Sequence, residues 1–269
     1  MPVAEEAITA VTCKNCETLF EGNFCPNCSQ KAGTHRFTVK HFLHEFLHAF
    51  THTDKGIFFL IKQMMVRPGK VAFEYNAGKR KKYFNPFSFM LIAMALNVFL
   101  TQKTDFYGAF INATEKFVKE ISKLDTSKKT DTTDSTAQLE KARQQTPKML
   151  ENSKLLMAIL YLPFLSLLTW IFFKNAGFNY AENLVLNTLI AGQTSLLFIV
   201  FCITPFVLYN PIIIFLPYLY MMGVWFYNLV AFRQFYRQRK WAIFWKGSVL
   251  QIIYYIFANQ VGNAILDYL

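Results

Sequence analysis

Cys13-Lys14-Asn15-Cys16 and Cys25-Pro26-Asn27-Cys28 are two C-x-x-C pairs separated by eight residues. Pairs at this spacing fold back so that four thiolates meet at one tetrahedral zinc, a closed structural site with no position open to substrate. Gly22 lies between the pairs, where the chain must reverse, and Pro26 stiffens the second knuckle. The competing chemistry is two disulfides in a secreted head. The amino end lacks the apolar core of a signal peptide, which favours one structural zinc. Thiolate ligands need a reducing compartment, so this end is expected in the cytoplasm. Cys202 stands alone in an apolar run and reads as a packing residue.

All five histidines fall between residues 35 and 52. His41, His44, His48 and His52 are spaced +3, +4 and +4. At about 100° per residue they lie within roughly 80° of one another on a helix. Phe42, Leu43, Phe46, Leu47 and Phe50 fill the opposite side, which makes Thr38–Thr51 an amphipathic helix. Two readings stand. The stripe, bordered by Glu45, holds a second metal or a titrating site, since imidazoles at i and i+4 can share an ion. Alternatively it is the wet face of a helix lying on a membrane or packed against a neighbour. Further on, Gly56–Val66 is apolar but too short to span, and Arg67-Pro68-Gly69 reads as a helix stop followed by a turn. Lys79, Arg80, Lys81 and Lys82 form a polybasic cluster ahead of Tyr83-Phe84, as an orientation signal or a lipid-headgroup site.

Cys13-Lys14-Asn15-Cys16, the run Phe20–Gln30, Asp54-Lys55-Gly56, Arg67-Pro68-Gly69, Glu74-Tyr75 and Gly78-Lys79-Arg80-Lys81-Lys82-Tyr83-Phe84-Asn85-Pro86 occur in this order. Together they resemble the bacterial membrane family catalogued as domain of unknown function 3667, over residues 13–100. Ser29 departs from the pattern, standing where a glycine would ease the turn after the last cysteine. The resemblance implies a membrane protein with a zinc-ribbon head and brings no activity with it.

The elements that must carry these groups are read from hydropathy. Hydrophobic residues are 53% of the 269 and charged residues only 17%, against about a quarter for a soluble chain. A bilayer core takes about 20 apolar residues per helix. Five spans are expected: Tyr83–Leu100, with Asn85 as N-cap and Pro86 at the first helical position, Leu155–Phe173, Leu184–Leu208, Pro211–Phe232 and Gly247–Leu266. Residues 31–82 hold eleven Lys/Arg against Glu45, Asp54 and Glu74, and Arg233, Arg237, Arg239, Lys240 and Lys246 of the 233–246 loop have no acidic neighbour. Both fall on one side of this scheme, the cytoplasmic side by the charge rule. The loop 101–154 falls outside. Its centre, 125–138, is rich in Ser, Thr and charge and is expected to be loosely ordered, while Phe106–Leu124 and Ala137–Met149 extend the adjoining spans as helices.

The expected fold is therefore an all-α integral membrane protein. It has a cytoplasmic zinc ribbon (1–34), basic interfacial helices (35–82) and a five-helix membrane domain (83–269) in a bacterial inner membrane, with the carboxyl end outside. The spans hold no acidic or basic residue in their interiors, which disfavours proton-coupled transport. Their polar content is amide and hydroxyl, with Asn187, Gln193, Thr194, Asn259 and Gln260 placed to join helices or line a pore. No nucleophile motif, phosphate-cradling loop or carboxylate pair is present, so no catalytic residue is assigned. Three functions are weighed: a non-catalytic component that docks a protein partner or further copies of itself, a channel or carrier for a small solute, and a headgroup enzyme using the histidine stripe. Membrane lipids are expected partners, and nucleic acid is not, because Glu17 and Glu21 sit beside Lys14 on the ribbon.

Overall fold

The computed structural model describes residues 10–40, 56–124, 154–204 and 215–268. The chain is mostly helical. Among the described residues, a two-stranded antiparallel ribbon, β1 (Val11–Thr12) and β2 (Leu19–Phe20), precedes eight α-helices. These are α1 (Ile57–Val66), α2 (Pro68–Asn76), α3 (Pro86–Lys103), α4 (Phe106–Leu124), α5 (Lys154–Phe172), α6 (Tyr180–Phe198), α7 (Leu216–Tyr236) and α8 (Lys240–Tyr268). A π-helical turn, Ile199–Ile203, continues α6.

α6 is the hub, packed against α2, α3, α5 and α7, and every residue from Ala181 to Ile190 is buried. A helix whose apolar residues are spread around its whole circumference suits such a central position, and its polar residues are buried with them. Its start follows from a capping box: Asn179 Oδ1 accepts from the Glu182 N–H at 2.8 Å, and Glu182 Oε2 accepts from the Asn179 N–H at 2.8 Å. This corrects the expected boundary at Leu184, since the helix opens four residues earlier and takes Glu182 inside, 4% exposed. The α3 start is as expected, with Asn85 Oδ1 accepting from the N–H groups of Phe87 and Ser88 and Pro86 at the first helical position.

A second correction concerns Arg67-Pro68-Gly69. Instead of closing a helix into a turn, Pro68 opens α2 after a one-residue break at Arg67. Gln234 on α7 caps this new helix from outside, its Oε1 accepting from Gly69 N at 3.1 Å and Lys70 N at 3.4 Å. Gly69 is needed because a Cβ there would lie 2.0 Å from the carbonyl oxygen of Ala231. α2 and α7 thus touch backbone to backbone.

Each expected span overlaps a helix over its described residues. Two stretches, Pro86–Lys103 and Tyr180–Ile203, are long and apolar enough to cross a membrane, while the apolar part of α5 is the shorter Tyr161–Phe172. Of the five expected crossings, two are therefore matched on length and composition among the described residues. α7 and α8 are diluted by amides and by Arg233 and Lys246, yet their outer faces are apolar: Leu219, Met222, Phe226, Trp245, Ile252 and Ile256 are all exposed. α1 buries Leu60 and Met64 and exposes Phe58 and Val66. The Phe106–Leu124 helix does not continue α3, because Asp105 at φ 46° breaks the chain between them. Phe106 turns in against Phe198, with ring centroids 5.5 Å apart, beside a fully buried Cys202. The expected loop 125–138, the helix at 137–149 and the turn at 209–210 lie outside the described residues.

Candidate metal centre

The two knuckles are built alike. In the first, Cys13 N–H donates to the Thr18 carbonyl and Glu17 N–H to the Cys13 carbonyl, both at 2.9 Å. In the second, Cys25 N–H donates to Gln30 at 2.9 Å and Ser29 N–H to Cys25 at 2.8 Å. Glu17 (φ 64°) and Ser29 (φ 57°) both adopt the left-handed conformation after the second cysteine of their pair. β1 pairs with β2 and Phe24 bridges Lys31, so each knuckle closes a short hairpin. Phe20 fills the space beneath the cysteines.

All four cysteines are free thiols, and their sulfurs lie within 4.8 Å of one another. Cys16 Sγ is 3.5 Å from Cys25 Sγ and from Cys28 Sγ, and Cys13 Sγ is 3.5 Å from Cys28 Sγ. A tetrahedral ion with sulfurs at about 2.3 Å has edges of about 3.8 Å, so the four fit one metal ion. A disulfide needs about 2.05 Å. The Thr18 hydroxyl and backbone bond to the Cys16 sulfur, the hydroxyl at 3.3 Å, and lower that thiol to about 6. Burial pushes Cys28 up to about 11. Asn15 N–H reaches Cys13 Sγ at 3.4 Å. A bound cation would remove the remaining thiol protons. With four protein ligands it would have no open position, and its role would be to hold the fold.

The ribbon is seated on the loop between α2 and α3. Gln30, 5% exposed, donates from Nε2 to the Gly78 carbonyl at 2.8 Å and accepts from Lys81 N at 3.4 Å. Asn15 Oδ1 accepts from Lys82 N at 3.1 Å. Gly78, at φ 109°, lies so near Lys14 that a Cβ would sit 2.9 Å from its Cδ. Beyond the ribbon, Arg36 donates from Nε to Glu182 Oε1 at 2.5 Å, and from Nη2 to Glu182 Oε2 at 2.7 Å and the Gly177 carbonyl at 2.5 Å. Asn179 Nδ2 donates to the Phe37 carbonyl at 2.9 Å, and the Phe37 ring is fully buried against Tyr75.

This seat engages most of the polybasic cluster. Lys79 pairs with Glu17 at 3.8 Å, and Arg80 donates to the His35 carbonyl at 2.7 Å with its guanidinium 4.4 Å over the Phe37 ring. Lys82 Nζ lies 2.6 Å from Glu74 Oε2, which also accepts from the Tyr83 hydroxyl at 2.7 Å. Burial pushes the Glu74 carboxyl up, but the hydrogen bonds from Lys82 and Tyr83 outweigh it and hold the group below its ordinary value. Lys81 is exposed.

The other expected site residues are dispersed. His41, His44, Glu45, His48 and His52 lie outside the described residues. Asn187 and Gln193 are buried on α6, Thr194 hydrogen-bonds back to the Ile190 carbonyl of its own helix, and Gln260 on α8 is exposed. The Asn259 side chain is outside the described residues. Sequence reasoning missed Arg36, Glu182, Gln30, Asn15 and Gln234. Only Glu182 carried a local signal, the Asn-x-x-Glu spacing of a capping box.

Residues 54–98 match the model of a family described as "Protein of unknown function (DUF3667)". The match covers α1, α2, the loop on which the ribbon sits and most of α3, and stops short of the cysteines. No curated protein and no solved structure matches the chain.

Proposed function

From the match of residues 54–98 to this family of unknown function, we propose that the protein is a non-catalytic membrane component whose zinc ribbon docks a protein partner or a second copy. The observation that carries this reading is the contrast between the ribbon's two faces. One face is fastened to the helices through Asn15 and Gln30, and the chain leaving it is held by the Arg36–Glu182 pair. Elsewhere on the ribbon, Leu19 and Phe24 stay 67% and 62% exposed, large apolar side chains on a platform too rigid to fold them away. Such anchors are what interface centres use. Zinc is the ion of this reading because four thiolates at a tetrahedral spacing select it among common cations.

The membrane part of the proposal has five spans, α3, α5, α6, α7 and α8, supported by the exposed apolar faces of α7 and α8. The reducing chemistry of free thiolates and the basic residues at 31–82 favour a cytoplasmic ribbon in a bacterial inner membrane, with the carboxyl end outside and 101–154 extracytoplasmic. α1, with Phe58 and Val66 exposed, would rest in the inner interface, and Lys81 would meet lipid headgroups.

The test is the double variant Leu19→Ser/Phe24→Ser in full-length protein extracted with a mild detergent. It is expected to keep its metal and its thermal stability and to run as a smaller assembly than the parent in light scattering. An unchanged assembly mass would remove the docking reading. A solute pathway without proton coupling is the second reading, favoured by a cavity among the helices whose largely apolar wall carries Asn97, Asn187, Asn228 and Gln251.

A further inference from the structure

α3, α5, α6, α7 and α8 surround a cavity of 590 Å³, within the range of about 300–1,000 Å³ typical of small-molecule sites. We propose that it binds a neutral lipid carrying a hydroxyl donor on its head, of the acylglycerol or long-chain alcohol class. The inference rests on the helices standing in a membrane and is independent of what the ribbon docks.

The argument begins with Asn187, 1% exposed, on the cavity wall. Its Nδ2 lies 3.1 Å from Ser166 Oγ and 2.9 Å from Thr169 Oγ1. Both hydroxyl protons are already committed, Ser166 to the Leu162 carbonyl at 2.6 Å and Thr169 to the Ser166 carbonyl at 3.0 Å. The two oxygens can therefore only accept from Asn187, which fixes which end of the amide is NH₂. Its Oδ1 is left buried without a partner. Asn228 repeats the pattern across the cavity: Nδ2 donates to Gln251 Oε1 at 3.4 Å, and Oδ1 is buried and unpartnered.

Four other polar groups of the wall spend their donors within the protein. Asn97 Nδ2 donates to the Ser195 carbonyl at 3.0 Å, and the Tyr220 hydroxyl to the Thr194 carbonyl at 2.9 Å. Thr194 and Ser195 bond back along α6 at 2.9 Å each. The two amide oxygens lack a donor that an occupant bringing O–H or N–H would supply, and the Tyr254 and Tyr255 hydroxyls on the same wall could accept from such a head as well. A buried acceptor left unsatisfied costs about 1–3 kcal/mol. No charged residue lines the cavity among the described residues, so an ionised head would be buried without a counter-charge. The remaining wall is apolar, from Met90, Met94, Leu162, Ile190 and Leu250, and suits a hydrocarbon chain. Met221 on α7 and Tyr255 on α8 line the cavity and are each about half exposed on the apolar outer face. They form a lateral mouth where acyl chains would enter.

The experiment is native mass spectrometry of the purified full chain with 1-oleoylglycerol, using methyl oleate as a probe with a similar chain and no donor. One 1-oleoylglycerol per chain is expected, retained about fivefold or more over methyl oleate for each acceptor satisfied. Ala191→Phe, which fills the cavity, should abolish retention of both. Asn187→Leu should erase the preference, and Asn228→Leu tests the same point if the loss of bonds to Ser166 and Thr169 unfolds the first variant. Equal retention of the two probes, or retention indifferent to Ala191→Phe, overturns the proposal. So do density showing water alone on Asn187 without 1-oleoylglycerol retention, and a solute flux through vesicles that Ala191→Phe blocks without such retention.

Discussion

Arg36 and Glu182, 146 residues apart in sequence, meet in a two-point ion pair at 2.5 and 2.7 Å. Glu182 is nearly buried, 5% exposed at its side chain, whereas Arg36 is 58% exposed, so the pair is open on one side only. The same carboxylate closes the capping box of the central helix. One group therefore fixes both the start of α6 and the strand of chain leaving the ribbon.

Removing Arg36 strands the Glu182 charge in its pocket. Breaking a fully buried pair costs about 3–5 kcal/mol; with Arg36 half in water, Arg36→Ala is expected to cost on the order of 2 kcal/mol. Thermal unfolding and hydrogen exchange at residues 33–40 should both record the loss. Arg36→Lys should recover only part of it, because an ammonium cannot hold both carboxylate oxygens and the Gly177 carbonyl in one plane. Unchanged exchange at 33–40 in Arg36→Ala would show that the ribbon is held by the Gln30 and Asn15 contacts alone.

The metal centre should hold one ion per chain, and Cys13→Ser or Cys25→Ser should abolish it. Because each ligand binds as a thiolate, acidification should release the ion and strong chelators should loosen residues 10–34. Metal analysis before and after chelation, with exchange across the ribbon, reads both effects. The helices should keep their protection, since the buried cluster linking α1, α2, α3, α6 and α7 does not include the cysteines.

Glu74 gives a pH signature. Its carboxyl titrates lower in the fold than in the unfolded chain, so its contribution is complete above the unfolded value, about 4.3, and is lost as pH falls through the lowered folded value. Lys82, raised by its bond to Glu74, loses its share only as pH climbs past the ordinary lysine range. Glu74→Gln should therefore lower the unfolding midpoint by a constant amount at neutral pH. Below about pH 4 the gap from the parent should close. A gap that persists in acid would mean the glutamine fails for packing reasons.

What could be read from the chain was local. Two knuckles eight residues apart gave the four clustered thiols, Asn85-Pro86 gave the α3 start, and an apolar setting gave the packed Cys202. α2 escaped because its cap, Gln234, lies 165 residues away and Arg67-Pro68-Gly69 alone looks like a stop. Nor does composition tell that Lys79, Arg80 and Lys82 turn toward Glu17, His35 and Glu74. Tertiary partners decide that, and they leave no periodic trace. Asn187 showed as a polar residue in an apolar run, but which way its amide points depends on two hydroxyls of another helix.

Ser29 supplies the last prediction. It is exposed and held at φ 57°, a conformation that costs a side-chain-bearing residue roughly 1 kcal/mol. Glycine removes that cost but gains freedom when unfolded, by about 0.5–1 kcal/mol, so Ser29→Gly should be neutral to slightly stabilising. A β-branched side chain is worse placed there than serine, and Ser29→Val should be clearly destabilising. Glu17 occupies the matching position but also pairs with Lys79, so Glu17→Gly would mix two effects. Ser29 isolates the backbone term. Metal release to a chelator should follow the order valine fastest, then serine, then glycine equal or slower. Release from Ser29→Val no faster than from the parent would show that the second knuckle does not hold its left-handed turn in solution.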